Sequence, residues 1–113
     1  MKIRGLRKVF GEKIAVHNTN ITMYTGQIFA LLGHNGAGKT TTISMLTGLI
    51  QPTEGHAFIN GTDIFKDMEQ LRKVLGVCPQ HNVLFDYLTP LDHLRLFASF
   101  KGVDPAKLDG QIK

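Results

Sequence analysis

Several features of common protein classes are scarce in this sequence. Cys78 is its only cysteine, so an internal disulfide framework is excluded and a reducing compartment is expected. The longest uninterrupted apolar run extends only from Ile28 to Leu32, whereas a bilayer-spanning helix needs ~20 residues. Residues 1–20 show no apolar core followed by a small-residue cleavage site, so no secretory signal peptide is expected there. Any link to a membrane is therefore expected to come through a partner or a further part of the chain.

The composition is that of a globular domain. The 113 residues are 42% hydrophobic and 19% charged, which argues against wholesale disorder, and the length fits one compact domain or part of one. The net charge is +4, and the excess of basic residues falls within the first 50 residues. Such a basic half could face nucleic acid, the phosphates of a nucleotide or simply solvent. Composition does not distinguish between these interpretations, whereas the motif described below does.

Residue patterns predict a mixture of strands and helices. Alternation and short apolar runs predict strands at residues 1–10, around Ile21 and Met23, and at 27–32, 57–60 and 77–78. The run at 27–32 lacks alternation and is expected to be a parallel strand buried on both faces. Apolar residues at helical spacing predict helices at 40–49, from 67 onwards, at 90–101 and from 105 onwards. Thr89 and Asp92 form a capping box before the third of these helices.

The most specific pattern is a glycine-rich phosphate loop. Residues 33–40, Gly-His-Asn-Gly-Ala-Gly-Lys-Thr, match G-x-x-x-x-G-K-S/T in full, where ~0.003 chance matches are expected over roughly a hundred start positions. Lys39 would place its ammonium on the β- and γ-phosphates, and Thr40 would offer its hydroxyl to Mg²⁺. Glycine permits the dihedrals and the close approach that turn backbone N–H groups towards anionic oxygens. The helix that follows the loop adds its N-terminal dipole behind the phosphates.

This loop and its neighbours resemble the ATPase domain of ATP-binding cassette (ABC) transporters. The resemblance rests on residues 31–49, on Pro-Thr-Glu-Gly at 52–55 and on Val-Cys-Pro-Gln-His-Asn-Val-Leu-Phe-Asp at 77–86. Gly-His-Asn-Gly in the loop and the 77–86 segment are similar to the A subfamily, whose members mostly move lipids. The resemblance implies an α/β P-loop NTPase core with an antiparallel N-terminal β flank and the start of a helical subdomain, as an incomplete domain. It implies a nucleotide-binding core at 1–88 and the start of the helical subdomain at 89–113.

The resemblance also implies roles for individual residues. Gln80 matches the Q-loop glutamine, which contacts Mg²⁺ and the attacking water and links nucleotide state to the transmembrane domains. Phe10 aligns with the aromatic residue that stacks on adenine, and Val16 lies where the family packs an aliphatic residue beside the base. Lys39 and Gln80 would be catalytic, and Thr40 and Gln80 would hold Mg²⁺. The remaining residues expected to bind the nucleotide are Gly33, His34, Asn35, Gly36, Ala37, Gly38 and Thr41.

The same resemblance implies the partners. In the intact protein, ATP would bind between two such domains in a head-to-tail dimer, at the cytoplasmic face of a membrane. Its hydrolysis would drive the transmembrane domains, and no nucleic acid partner is expected. The family's Leu-Ser-Gly-Gly-Gln signature, an apolar run ending in Asp-Glu and the switch histidine are absent from these 113 residues. We therefore expect the chain to bind ATP or ADP without hydrolysing ATP by itself.

Two other functions stay open from the sequence. A soluble cassette ATPase that has no membrane partner would carry the same phosphate loop. A P-loop kinase or GTPase would carry one too. However, the sequence shows neither an Asn-Lys-x-Asp guanine-reading motif nor an acceptor site with lid arginines. The kinase and GTPase alternatives are therefore the weaker ones.

Other reactive or apolar residues are expected to be structural. The five histidines lack metal-ligand spacing, and no cysteine pair accompanies them. Cys78 is expected to be a small buried residue. Leu94, Phe97 and Phe100 share one face of the predicted helix at 90–101, which is expected to lie in the core rather than to dock a partner.

Overall fold

The computed structural model describes residues 1–111, apart from the side chains of Gln70, Pro105, Asp109 and Gln111. The chain divides into two compact units, the first spanning Met1–Gly76 and the second beginning at Val77. None of the helices within residues 1–111 is long and apolar enough to cross a membrane. The predicted division of function between residues 1–88 and 89–113 stays a prediction.

The first unit is built on one antiparallel sheet of four strands. They are β1 (Lys2–Phe10), β2 (Lys13–Thr22), β3 (Glu54–Ile59) and β4 (Thr62–Asp63), in the order β2-β1-β3-β4. The tight turn between β1 and β2 contains Gly11 at a φ of +56°, a conformation that glycine adopts without strain. The predicted N-terminal hairpin and the strand near residue 57 are therefore confirmed.

An irregularity in β1 sets which side chains enter the core. Ile3 and Leu6 are both fully buried, although strict alternation would place residues three apart on opposite faces. The pairing register of β1 shifts between these two residues, and Gly5 lies there at a φ of +58°. A bulge of this kind inserts one extra residue and returns the following side chain to the same face.

The core of the first unit lies between the sheet and two helices. The helices are α1 (Lys39–Leu46) and α2 (Met68–Val74). The buried apolar residues come from both layers: Ile3, Leu6, Val16, Met45, Ala57, Ile64 and Leu71. Helix α1 ends before residue 49, earlier than predicted, because Thr47 closes it and Gly48 takes a φ of +73° that ends helical geometry.

Two predicted buried strands are wrong. Residues 27–32 form no strand, and Ile28 is fully exposed while Leu32 is 86% exposed. Residues 77–78 also form no strand, and both Val77 and Cys78 are exposed. A parallel strand needs hydrogen-bonded neighbours on its edges. Within residues 1–111 the strand pairs are β1–β2, β1–β3 and β3–β4, all antiparallel, and neither segment takes part in any of them.

The second unit contains two helices, α3 (Pro90–Phe100) and α4 (Pro105–Gln111). The capping box before α3 is confirmed: Thr89 Oγ1 accepts from the Asp92 backbone N–H at 3.2 Å, and Asp92 Oδ2 accepts from the Thr89 backbone N–H at 3.0 Å. Helix α4 begins beside Asp104, whose Oδ1 accepts from the backbone N–H of Ala106 at 3.0 Å. Helix α3 therefore starts at the cap that the sequence predicts, and α4 starts at the predicted residue, where the Asp104 side chain caps it.

The apolar face of α3 does not lie in a core. Leu94, Phe97 and Phe100 are all exposed, and α3 has no buried residue. Aromatic rings of α3 and of Phe85 pack with one another instead, with Phe97 edge-on to Phe100 and His93 stacked between Phe85 and Phe97. The prediction of a helix core is thus wrong, because no second apolar layer covers this face within the described residues.

Candidate nucleotide-binding site

The phosphate loop connects residue 33 to the first turn of α1. Gly36 and Gly38 take φ values of +85° and +81°, which an L side chain rarely adopts. The backbone N–H of Ala37 donates to the carbonyl of His34 at 3.1 Å and closes a turn that contains Gly36 and directly precedes Gly38. Glycine at these two positions is therefore needed to fold the loop back before α1 begins.

Gly38 also lies against strand β2 at very short range. A Cβ built on Gly38 would come within 2.3 Å of the Ala15 carbonyl oxygen and 3.0 Å of Val16 Cγ2. Gly36 differs, since a Cβ there would meet no atom within 4 Å. The motif thus uses Gly36 for its dihedral angle alone and Gly38 for both its dihedral angle and its close approach to β2.

The side chain of Lys39 folds back over the loop. Its Nζ donates to the carbonyl of Gly33 at 2.5 Å and to that of His34 at 2.7 Å. These acceptors are neutral backbone groups, so the positive charge of the ammonium is not balanced by either of them. A charged oxygen would form a stronger, charge-assisted hydrogen bond with the same ammonium. Lys39 is therefore placed to bind an anion at the loop.

The N-terminus of α1 supplies a second feature that favours an anion. Gly38 is the N-cap and has no side chain to accept from the first N–H groups, and the first turn contains no acidic residue. A helix N-terminus carries a partial positive charge from these unsatisfied donors. A phosphate fits this position because it supplies both the missing acceptors and the negative charge.

A cavity of about 400 Å³ opens beside the loop and is large enough for a small ligand. Strand β2, the segment that precedes the loop, the loop itself and α1 all contribute to it. Its walls are Ile14, Ala15, Val16, His17, Thr19, Leu31, Leu32, His34, Gly36, Ala37, Lys39 and Thr42. None of these described wall residues is acidic, so nothing in the cavity opposes a negatively charged ligand.

The predicted loop residues differ in their position at this cavity and in their exposure. His34, Gly36, Ala37 and Lys39 line it, whereas Asn35, Thr40 and Thr41 do not. Thr40 is exposed on the first turn of α1, and Thr41 beside it is partly buried. His34 and Asn35 are exposed, and His34 Nδ1 lies 2.8 Å from the Asn35 carbonyl oxygen. The hydroxyl of Thr40 is thus accessible to a bound metal ion, whereas no group of three His, Cys, Asp or Glu residues within the described part could hold one.

Gln80 belongs to the second unit, where it is exposed at a bend after Pro79. Val16 belongs to the first unit and is buried in its core while also lining the cavity. The contacts predicted for these two residues, with the attacking water and with the base, stay predictions.

Phe10 ends strand β1, opposite Lys13 across the hairpin, and the residue is 49% exposed. It does not line the cavity described above. The ammonium of Lys8 lies 5.0 Å from the centroid of the ring. Lys8 was not predicted as a site residue. The sequence offers one indication of this contact: Lys8 lies two residues before Phe10 in a predicted strand, and such residues share one face of the strand.

Known proteins resemble this chain in sequence. The sequence profile of the family described as ABC transporter matches residues 16–112. The chain is 52% identical over 117 residues to the phospholipid-transporting ATPase ABCA3 of Rattus norvegicus and 54% identical over 99 residues to the glucosylceramide transporter ABCA12 of Mus musculus. These alignments cover 100% and 88% of this chain, which spans 7% and 4% of the two relatives.

Solved structures resemble the chain as well. The ATP binding subunit of an ABC transporter superposes with a TM-score of 0.81 and 32% identity, over 94% of this chain and 44% of the other. A dimeric ATP-binding cassette in a post-hydrolysis state, bound to ADP and Pi, superposes with a TM-score of 0.73 and 29% identity over 88% of this chain and 47% of the other. The α/β cassette fold class predicted from the sequence is therefore confirmed.

Proposed function

Because the chain belongs to the ABC transporter family, and its named relatives belong to the A subfamily, we propose that it is the ATP-binding part of a transporter. The observation that carries this proposal is the loop at 33–39, where the Lys39 ammonium and an uncapped helix N-terminus occur together. Both features favour a ligand with several negative charges, such as the phosphate chain of ATP or ADP. Family membership also excludes the kinase and GTPase alternatives.

Binding would exchange one set of acceptors for another. The Lys39 ammonium would leave the carbonyls of Gly33 and His34 for phosphate oxygens, which are stronger acceptors because they are charged. The first N–H groups of α1 would gain acceptors that Gly38 cannot supply. Thr40 would offer its hydroxyl to Mg²⁺, and a bound Mg²⁺ ion supplies neutralisation of phosphate charge.

Three further residues have proposed roles, Phe10 and Val16 in binding the base and Gln80 in hydrolysis. The half-exposed ring of Phe10 would stack on the adenine base, since an aromatic face can bind any purine with little demand on its hydrogen-bonding groups. Gln80 keeps the role that the family resemblance implies, as the Q-loop glutamine that takes part in hydrolysis and links it to the transmembrane domains. Val16 would pack beside the base from the side of β2.

Beyond nucleotide binding, we propose that the intact protein couples ATP hydrolysis to lipid transport from the cytoplasmic face of a membrane. The names of the A-subfamily relatives support this proposal, since one is a phospholipid-transporting ATPase and another a glucosylceramide transporter. The dimeric cassette structures support a second ATPase domain as a partner. Transmembrane domains would be the third component of such an assembly.

Titration with a fluorescent ATP analogue and Mg²⁺ tests the nucleotide site. Lys39→Ala removes a charge-assisted contact worth about 1.5–3 kcal/mol, so affinity is expected to fall roughly 10- to 150-fold. Lys66→Ala is the matched control. It removes the same charge from an exposed residue of the first unit that lies outside the cavity. Equal affinities of the unchanged chain and of Lys39→Ala would refute the proposed site.

A further inference from the structure

The ring proposed to bind the base already has a cation on one of its faces. Lys8 and Phe10 lie two residues apart on β1, and the Lys8 ammonium is 5.0 Å from the centre of the Phe10 ring. At this distance an ammonium is attracted by the negative face of the ring.

A network of hydrogen bonds holds this ammonium in place. Lys8 Nζ donates to the carbonyl of Gln51 at 2.7 Å, which fixes the charged end of a long side chain. Thr53 ties the same segment to β1: its backbone N–H donates to the Arg7 carbonyl at 2.9 Å, and its Oγ1 accepts from the Val9 backbone N–H at 3.0 Å. Lys8 is therefore bound at both ends, through its backbone in β1 and through its ammonium at residue 51.

From this geometry we infer that Lys8 is a positioning residue for the nucleotide base. It holds the Phe10 ring in one orientation and covers one of its faces, which directs the base to the opposite face. A ring that is already oriented loses less conformational freedom when a ligand binds, and this strengthens binding. The inference rests on the proposed function, and it adds a specific role for a residue that does not line the cavity at the loop.

The alternative is that Lys8 acts through its charge on the phosphates. Its ammonium is engaged with Gln51 and Phe10, whereas Lys39 lies in the wall of the cavity. A positioning role predicts an effect on ligands that contain a base and no effect on a bare phosphate chain. A general charge effect predicts equal loss for both kinds of ligand.

Calorimetric titration of the 113-residue chain with MgATP and with magnesium tripolyphosphate separates these roles. Lys8→Met keeps most of the stem and removes the charge, and it should weaken MgATP binding about two- to five-fold while leaving tripolyphosphate binding unchanged. Lys8→Arg keeps the cation and should restore MgATP affinity. Lys2→Met is the matched control, since it removes the same charge from an exposed residue at the other end of β1 and should change neither affinity.

A double-mutant cycle with Phe10→Ala tests whether Lys8 acts through the ring. Lys8→Met should have no further effect on MgATP affinity in the Phe10→Ala background. Equal losses for both ligands, a loss that persists without the ring, or no loss in Lys8→Met would each overturn the inference. Circular dichroism identifies a variant that has unfolded. If Lys8→Met has unfolded, the MgATP affinity of Lys8→Arg tests the inference instead, and an affinity below that of the unchanged chain would overturn it. If the unchanged chain binds neither ligand, the proposed function fails, and the inference fails with it.

Discussion

Substitution of alanine at Gly38 and at Gly36 should destabilise the first unit by clearly different amounts. Both residues have φ values near +80°, where an L residue costs about 1–2 kcal/mol relative to glycine. Only at Gly38 would the new Cβ also collide with the chain, 2.3 Å from the Ala15 carbonyl oxygen. The atom it meets belongs to the backbone of a paired strand, which cannot move aside as a flexible side chain can.

Overpacking of this kind typically costs about 1–3 kcal/mol beyond the backbone strain. We therefore expect Gly36→Ala to lower the free energy of unfolding by about 1–2 kcal/mol and Gly38→Ala by about 2–5 kcal/mol. Urea denaturation followed by circular dichroism measures both, and at an m-value of about 2 kcal/mol/M the two midpoints should differ by roughly 1 M. Equal midpoints would show that the contact between Gly38 and β2 does not hold the loop in place.

Two further predictions concern α3 and catalysis. Hydrogen bonds from the Thr89 hydroxyl and backbone N–H lower the pKa of Asp92. The cap therefore stabilises α3 fully at pH values above the ordinary pKa of aspartate, and this stabilisation is lost as the pH falls through the lowered pKa. Thr89→Ala should raise the Asp92 pKa in an NMR titration, Thr89→Ser should not, and an unchanged pKa in Thr89→Ala would contradict this cause. Phosphate release by the 113-residue chain should stay at the background rate, both in the unchanged chain and in Lys39→Ala. The reason is that no described wall residue of the cavity is a carboxylate that could polarise water. ATP turnover that Lys39→Ala abolishes would contradict this prediction.

The elements that the sequence predicts correctly depend on interactions between near neighbours. The capping box at Thr89 and Asp92 joins residues three apart, and the hairpin at Gly11 joins strands that follow each other directly. The turn of the phosphate loop is likewise closed within the motif, between His34 and Ala37. Each of these needs only a few consecutive residues, so the residue types are sufficient to predict them.

The predictions that are wrong concern burial, which depends on distant partners. An apolar run at 28–32 and an apolar face on α3 show that these surfaces favour a partner, but they do not provide one. The Lys8 ammonium was missed for the same reason, since its acceptor at Gln51 is far away along the chain. The contact of Gly38 with Ala15 joins the motif to a strand that precedes it, and the motif pattern alone contains no sign of it.

The phosphate loop keeps its shape even though the segment before it forms no strand. Two contacts at the C-terminal end of the loop explain why its shape is kept. Gly38 lies against β2, and α1 is anchored in the core through Met45, which is fully buried, and Thr42, which is nearly so. The loop is therefore held by the helix that follows it and by the N-terminal hairpin. Since Phe10 and Lys8 belong to that same hairpin, the proposed base platform and the loop are both supported by β1 paired with β2.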